Sequence, residues 1–137
     1  MDISGLIKRT VRSILQRDAV EIARRNGAVI GSNVNLMWEV VLDPSHSWHI
    51  EIGNHVTMAP RVHILCHDAS TKMHLGYTRI GKVKIGSRVF IGADSIVMPG
   101  ATIGDDVIIG AGSVVTRNVP PAFRCLRQSR IRHRHAG

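Results

Sequence analysis

The chain has 137 residues, 44% of them hydrophobic and 4% aromatic, and a formal net charge of +8. A chain of this length can bury a core of its own, so its two cysteines, Cys66 and Cys125, are not expected to form a disulfide framework. No stretch approaches the roughly 20 apolar residues of a membrane-spanning helix, and the first residues lack the apolar core of a secretory signal, so we expect a cytoplasmic protein.

The positive charge lies at the two ends of the chain. Residues 1–27 carry six Lys/Arg and three acids, residues 28–121 carry seven of each, and residues 122–137 carry five arginines and no acid. Basic ends suit anionic partners. No aromatic or glycine-rich nucleic-acid motif accompanies them, so nucleic acid is not an expected partner.

The first segment, residues 1–27, predicts an amphipathic helix over residues 5–25. Its apolar residues recur at spacings of three and four, and they are Ile7, Val11, Ile14, Leu15, Ile22 and Ala23. Gly27 suits the end of such a helix. We expect the apolar stripe to pack on the body of the protein, with a solvated basic face. The alternative is peripheral contact with a membrane surface.

A repeat of six residues dominates the rest of the chain. Apolar residues lead each repeat at Ile85, Ile91, Val97, Ile103, Ile109 and Val115, and earlier at Ile30, Leu36, Leu42, Ile52, Met58 and Ile64. A small or β-branched residue follows four positions after every lead from Ile85 to Val115, as at Val89 and Ser95, and after Ile30, Leu36, Ile52 and Met58. Glycine often follows the lead directly, and we expect it there because the turn needs unusual backbone dihedrals.

The period of six matches neither a helix nor a lone amphipathic strand. It is typical of a short strand and a tight turn that stack into a solenoid. The register breaks by a step of ten between Leu42 and Ile52, and by a step of 21 between Ile64 and Ile85. The longer step predicts that a loop, residues 66–84, leaves the solenoid, and such insertions often carry function.

The segment from Ile52 to Pro121, with the runs IGNHVTMAPRVHILCHD and IGADSIVMPGATIGDDVIIGAGSVVTRNVPP, resembles the hexapeptide-repeat acyltransferases. The resemblance is strongest to galactoside, maltose and surface-polysaccharide sugar O-acetyltransferases. It implies an all-β solenoid over residues 28–121, a left-handed parallel β-helix of about four to five coils with one protruding loop. It also implies a homotrimer with sites between subunits, acetyl-coenzyme A as donor, a sugar or surface-polysaccharide precursor as acceptor, and no metal.

His67 is the predicted catalytic residue, because it ends a coil strand and begins the loop at the place where the family has its histidine. Imidazole is suited to take a proton from an attacking hydroxyl or amine. The partner that orients His67 stays open between Asp68 and a backbone carbonyl. The adjacent Cys66 is expected to point inward rather than to act as a nucleophile, because neighbouring strand residues face opposite sides.

The resemblance also implies the substrate contacts. For the acceptor it indicates Asn35, Asp68 and Trp38, although Asn35 also suits a purely structural role in the coil. His46, Trp48 and His49 either line the acceptor site or pack over a coil. For coenzyme A it indicates Phe90, Ala93, Gly110, Ala111, Gly112, Thr116 and Arg117, with Arg117 suited to the 3′-phosphate.

Residues 122–137 form a basic tail that departs from the family, which normally ends in a Gly-Asn-Pro-Ala segment closing over coenzyme A. One back-translation of residues 124–130, read one base later, encodes Gly-Val-Cys-Gly-Asn-Pro-Ala, so we hypothesise a frameshift. This departure keeps a non-catalytic or degenerate scaffold as an alternative. A γ-carbonic-anhydrase-like metal enzyme, which binds zinc through three histidines between subunits, is a further alternative, with His55, His63 and His67 as the ligand set.

Overall fold

The computed structural model describes residues 3–125, without the side chains of residues 12, 13, 16, 17, 124 and 125. Helix α1 spans Ile3–Arg25 and the short helix α2 spans Lys72–Leu75. The strands are β1 (Val29–Ile30), β2 (Asn35–Leu36), β3 (Val41–Leu42), β4 (Ile50–Ile52), β5 (Thr57–Met58), β6 (His63–Ile64), β7 (His67–Asp68), β8 (Arg79–Ile80), β9 (Val83–Ile85), β10 (Phe90–Ile91), β11 (Ile96–Val97), β12 (Thr102–Ile103), β13 (Ile108–Ile109), β14 (Val114–Val115) and β15 (Arg124–Cys125).

Most strands belong to three parallel sheets. Sheet A has the order β1-β4-β9-β12, sheet B the order β2-β5-β10-β13-β15, and sheet C the order β3-β6-β11-β14. Strands that follow one another in the chain pass from sheet A to B, from B to C and back to A. The chain therefore winds around a three-sided prism, which fits the left-handed β-helix that the resemblance implies.

The predicted lead residues stack in register inside this prism. On sheet A, Ile30 pairs with Ile52, Ile52 with Ile85, and Ile85 with Ile103. The leads of sheets B and C stack in the same way. All are buried except Leu42, which is partly buried. The six-residue period is thus confirmed as the packing period of an aliphatic core, and burial of these side chains is its main stabilising force.

The register breaks fall at one edge of the prism. Paired positions on neighbouring turns lie 22, then 33, then 18 residues apart. The two longer spacings come from segments inserted between sheet C and the following strand of sheet A. We call this edge, formed by residues 43–49, 65–82, 98–101 and 116–118, the third edge. In the longer insertion β7 and β8 pair as an antiparallel hairpin.

The expectation that the glycines directly after the leads adopt unusual backbone dihedrals is wrong. Left-handed backbone occurs three positions after the leads, mostly at other residues such as Asp94 (φ 58°) and Arg61 (φ 61°). The glycines directly after the leads are needed for close packing instead. A Cβ on Gly92 would lie 2.4 Å from the backbone nitrogen of Ala111 in the next turn.

Helix α1 covers the first turn of the prism only in part. Val20 and Ala23 are buried against the core, whereas Ile7, Val11 and Leu15 stay exposed. These residues line an apolar groove of about 460 Å³ with Trp38 and Val40. Of the predicted stripe only Ala23 is buried, and Ile14 and Ile22 are exposed as well, so the expected packing of the stripe on the body is wrong except at Ala23. No helix within residues 3–125 is both long and apolar enough to cross a membrane.

The solenoid continues past residue 121, where we expected a tail without a repeat lead. Strand β15 pairs with β13, so that Cys125 occupies the lead position opposite Ile109. Val119 likewise continues sheet A through a bridge to Ile103. The first residues of the predicted tail thus begin a further turn, and residues 126–137 lie outside the described part of the chain.

Candidate active site

The candidate site lies on the third edge, where the two insertions meet. Asp43 begins the shorter insertion and His67 begins the hairpin of the longer one. The backbone N–H of Asp43 donates to the carbonyl of Ile64 at 2.9 Å, which extends the pairing of sheet C by one residue. This bond fixes Asp43 beside the start of the hairpin.

The carboxylate of Asp43 is fully buried and accepts a bond at each oxygen. Oδ2 lies 2.5 Å from Nδ1 of His67 and accepts the backbone N–H of Cys66 at 2.9 Å. Oδ1 accepts the hydroxyl of Ser45 at 2.8 Å and its backbone N–H at 3.1 Å. An ionised carboxylate only accepts, so Nδ1 of His67 carries the proton and Nε2 keeps its lone pair.

The electrostatics of Asp43 favour the ionised form. Burial raises the pKa of the Asp43 carboxyl, but the bonds from His67, Cys66 and Ser45 outweigh burial and lower it to about 2. Asp43 therefore remains negative throughout the neutral range, where it holds His67 in one orientation and one tautomer. The orienting partner that we had left open between Asp68 and a backbone carbonyl is Asp43.

Cys66 points inward, as expected. It is fully buried, and burial together with the nearby charge of Asp43 raises the pKa of its thiol to about 11. Thiolate is the nucleophilic form of cysteine. Cys66 is consequently a packing residue whose backbone N–H supports Asp43.

A group of rings surrounds His67. The ring of His46 lies 4.9 Å from that of His67, and the ring of Trp48 lies 5.4 Å from that of His46. The ring of His49 lies 5.9 Å from that of Trp48. The side chain of His67 is 38% exposed and Trp48 is 57% exposed. The rings thus form a partly exposed surface next to the ring of His67.

The predicted acceptor residues separate in the structure. Asp68 stays next to His67, but its carboxylate accepts the backbone N–H of Ser70 at 2.9 Å, a bond that lowers its pKa. Asn35 lies exposed on sheet B, which faces away from the third edge. Trp38 lines the groove beside α1. Of the three, only Asp68 adjoins His67 within one chain.

The predicted coenzyme A residues also fall in separate places. Phe90 lies on sheet B, two strands from Asn35. Ala93 and Gly110 to Gly112 adjoin each other at the edge between sheets B and C, where the N–H of Gly112 donates to the carbonyl of Ala93 at 2.8 Å. Thr116 and Arg117 are exposed at the third edge. Only the last two share an edge with His67.

The three histidines of the metal-enzyme alternative do not gather. Nδ1 of His55 lies 3.4 Å from the side chain of Asn33, and Nδ1 of His63 lies 3.0 Å from the carbonyl of Arg61. Within residues 3–125 one group of three ligand-type side chains converges, and it consists of Asp43, His46 and His67. The γ-carbonic-anhydrase-like ligand set therefore does not form within one chain, and it stays a prediction for ligands shared between subunits.

Sequence reasoning missed Asp43. Its signal is weak but present, since it is an acid directly after a lead residue and at the start of the ten-residue step. In the sequence, the ten-residue step stands out through His46, Trp48 and His49 rather than through Asp43. What the sequence does not display is that this acid lies beside His67, 24 residues further along the chain.

Comparisons with known proteins agree with this architecture. Residues 82–117 match the family described as bacterial transferase hexapeptide (six repeats). The chain is 37% identical over 78 residues to the galactoside O-acetyltransferase of Escherichia coli, which covers 53% of this chain and 37% of that protein. A solved maltose O-acetyltransferase from Clostridium difficile superposes with a TM-score of 0.56 at 37% identity, covering 69% of this chain and 51% of that one.

A serine acetyltransferase from Neisseria gonorrhoeae, solved with serine, superposes with a TM-score of 0.53 at 28% identity, covering 72% of this chain and 36% of that one. The resemblance to the hexapeptide-repeat acetyltransferases is thereby confirmed. The matched region spans no more than about half the length of these relatives.

Proposed function

We propose that this protein transfers an acetyl group from acetyl-coenzyme A to a hydroxyl group of a sugar or surface-polysaccharide precursor. The observation that carries the proposal is the buried Asp43 bonded to the partly exposed His67. The relatives named as galactoside and maltose O-acetyltransferases support the sugar class of acceptor. The left-handed helix of four to five coils belongs to the same proposal.

The reaction proceeds by direct transfer. Nε2 of His67 takes the proton from the acceptor hydroxyl as its oxygen attacks the thioester carbonyl carbon. The carbon–sulfur bond breaks, and the coenzyme A thiolate leaves with the proton that the imidazolium returns. Asp43 holds Nδ1–H and stabilises the positive charge on the ring. No covalent enzyme intermediate is needed, because one cleft holds both substrates together.

The ring surface beside His67 serves the acceptor. An exposed Trp48 offers an apolar face of the size of a sugar ring, and His46 joins it to His67. The donor arm reaches the site along the third edge towards Thr116 and Arg117, with the guanidinium of Arg117 as a phosphate ligand.

The remaining predicted contacts require a second subunit. Asn35 and Phe90 lie on sheet B, on the opposite side of the prism from His67. In a homotrimer, sheet B of one subunit faces the third edge of its neighbour, so each active site draws on two chains. Separation of these residues within one chain supports the trimer that the resemblance implies.

The first test is calorimetric titration of the full chain with acetyl-coenzyme A, on the wild type and on His67→Ala. We expect both to bind, since His67 acts on the acceptor proton, and only the wild type to release thiol with sugar acceptors. Absence of binding by either protein overturns the proposal and favours a scaffold. A variant ending in Gly-Asn-Pro-Ala then tests whether residues 122–137 have removed the donor site.

A further inference from the structure

His46 and His67 approach the same buried carboxylate from two directions. Nδ1 of His67 lies 2.5 Å from Oδ2 of Asp43, and Nδ1 of His46 lies 3.9 Å from Oδ1. One ligand atom from each of the three side chains falls within 4.8 Å of the others. General-base catalysis by His67 needs Asp43 but uses neither ring nitrogen of His46, so the approach of His46 to the carboxylate needs an explanation beyond its place in the ring surface.

The spacing suits a tetrahedral zinc ion. Ligand atoms about 2.1 Å from Zn²⁺ in a tetrahedron lie about 3.4 Å from one another. His67 Nδ1 lies 2.5 Å from Oδ2 and His46 Nδ1 lies 3.9 Å from Oδ1, so an ion held by all three residues requires side-chain rotations that bring both distances towards this value. Two imidazoles and one carboxylate are a ligand set that zinc prefers, and the partial exposure of both histidines leaves a fourth position for water.

Further bonds hold the carboxylate ready for an ion. The N–H groups of Cys66 and Ser45 donate to its two oxygens, which orients Asp43 independently of His67. Such outer partners fix the direction of a metal ligand. The hydroxyl of Ser45 lies 3.0 Å from Nδ1 of His46, 3.4 Å from Nδ1 of His67 and 2.8 Å from Oδ1 of Asp43, and an entering ion would have to displace it.

We propose that Asp43, His46 and His67 form a Zn²⁺ site and that the bound ion switches off acyl transfer. The switch follows from the tautomer of His67. In the metal-free site Nδ1 carries the proton and Nε2 is the base. Zinc binds the lone pair of Nδ1 only when this nitrogen carries no proton. The proton therefore exchanges through solvent to Nε2, and the ring stays neutral with one N–H. A protonated Nε2 cannot accept the acceptor's proton.

The binding half of this inference stands alone, whereas the inhibition half rests on the proposed function. Binding is measured by titrating the full chain with Zn²⁺ in a calorimeter, and with Co²⁺, whose visible absorption reports tetrahedral coordination. We expect one ion per chain in the wild type. His46→Gln removes one ligand, and we expect it to lower the affinity at least tenfold.

Two controls remove other histidines. His74→Gln lies in α2, outside the cluster, and a double substitution of His133 and His135 covers the histidines beyond the described residues. Both are expected to bind zinc as the wild type does. Equal affinity of His46→Gln and wild type, or loss of binding in either control, overturns the site.

The switch is measured by long-range proton–nitrogen NMR of the imidazole rings and by activity. Zinc should move the His67 proton from Nδ1 to Nε2 and abolish thiol release. The activity readout is the ratio of the rates with and without zinc, at a zinc concentration that saturates the wild type only. We expect a ratio near zero for the wild type and a ratio near one for His46→Gln. Binding with an unchanged tautomer and full activity overturns the switch. Inactivity without metal, together with normal zinc binding, contradicts only the proposed acyl transfer.

Discussion

Replacement of Asp43 by asparagine tests the central pair of the site. The carboxylate accepts four bonds, two at each oxygen, from His67, Cys66 and Ser45. An amide has one oxygen and one NH2 group, so it satisfies one side only. In one orientation the amide NH2 points at the N–H of Ser45, so two donors oppose each other. In the other orientation the NH2 opposes the N–H of Cys66 and donates to Nδ1 of His67, which forces the tautomer with Nε2 protonated.

The expected loss follows from the bond to the charged partner. A hydrogen bond to a charged group contributes about 1.5–3 kcal/mol, and Asp43 makes its bond to His67 in the state where the ring becomes positive. This corresponds to a fall in kcat of about 10- to 150-fold. We expect a larger fall if the ring adopts the wrong tautomer, and a smaller effect on KM for acetyl-coenzyme A.

The assay follows thiol release from acetyl-coenzyme A with a galactoside or maltose as the first acceptors. Asp18→Asn, on the exposed side of α1, carries the same chemical change away from the site and should match the wild type. Circular dichroism establishes that Asp43→Asn remains folded. A folded Asp43→Asn protein with the kcat of the wild type would refute the assignment of Asp43 as the residue that positions His67.

The other predictions concern stability and reactivity. Because folding lowers the pKa of Asp43 from 3.8 to about 2, its carboxylate contributes about 2 kcal/mol above pH 4. Most of this contribution is lost as the pH falls from 4 to 2, so urea unfolding should separate wild type from Asp43→Asn far more at pH 7 than at pH 2. The buried Cys66 should not react with thiol reagents at pH 8, and labelling of Cys66 itself in the native state would contradict its packing. Gly112→Ala should cost about 1 kcal/mol through its positive φ, whereas Gly92→Ala, whose Cβ would meet the next turn, should cost roughly 3 kcal/mol; equal costs would refute the two roles.

The core could be predicted from the sequence because each lead residue makes the same contact in every turn. The residue that pairs with Ile85 is another lead, Ile103, at a distance that the period itself gives. The step of 21 residues likewise predicted where the chain leaves the prism. Stacking therefore makes a long-range arrangement readable from a local pattern.

The glycines and Asp43 illustrate what a local pattern lacks. A glycine is compatible with a positive φ or with a close approach of two backbones, and only the neighbouring turn decides between them. At Gly92 the neighbour is Ala111, and the backbone is ordinary. The bond from Asp43 to His67 depends on the lengths and paths of two insertions, which follow no repeat.

The division of the predicted site between opposite sides of the prism leads to a complementation test of the proposed trimer. His67→Ala leaves sheet B intact, and Phe90→Arg leaves the third edge intact, so each inactive chain retains the half that the other has lost.

In a randomly mixed trimer with sites between subunits, roughly a quarter of the sites combine an intact His67 with an intact Phe90 of the neighbour. We therefore expect two inactive proteins, unfolded and refolded together in equal amounts, to recover about a quarter of the wild-type rate. If one chain supplied both residues, every site would carry one defect and mixing would recover nothing. Mixing His67→Ala with Asp43→Asn is the matched control, because both substitutions alter the same half of the site and should not complement each other.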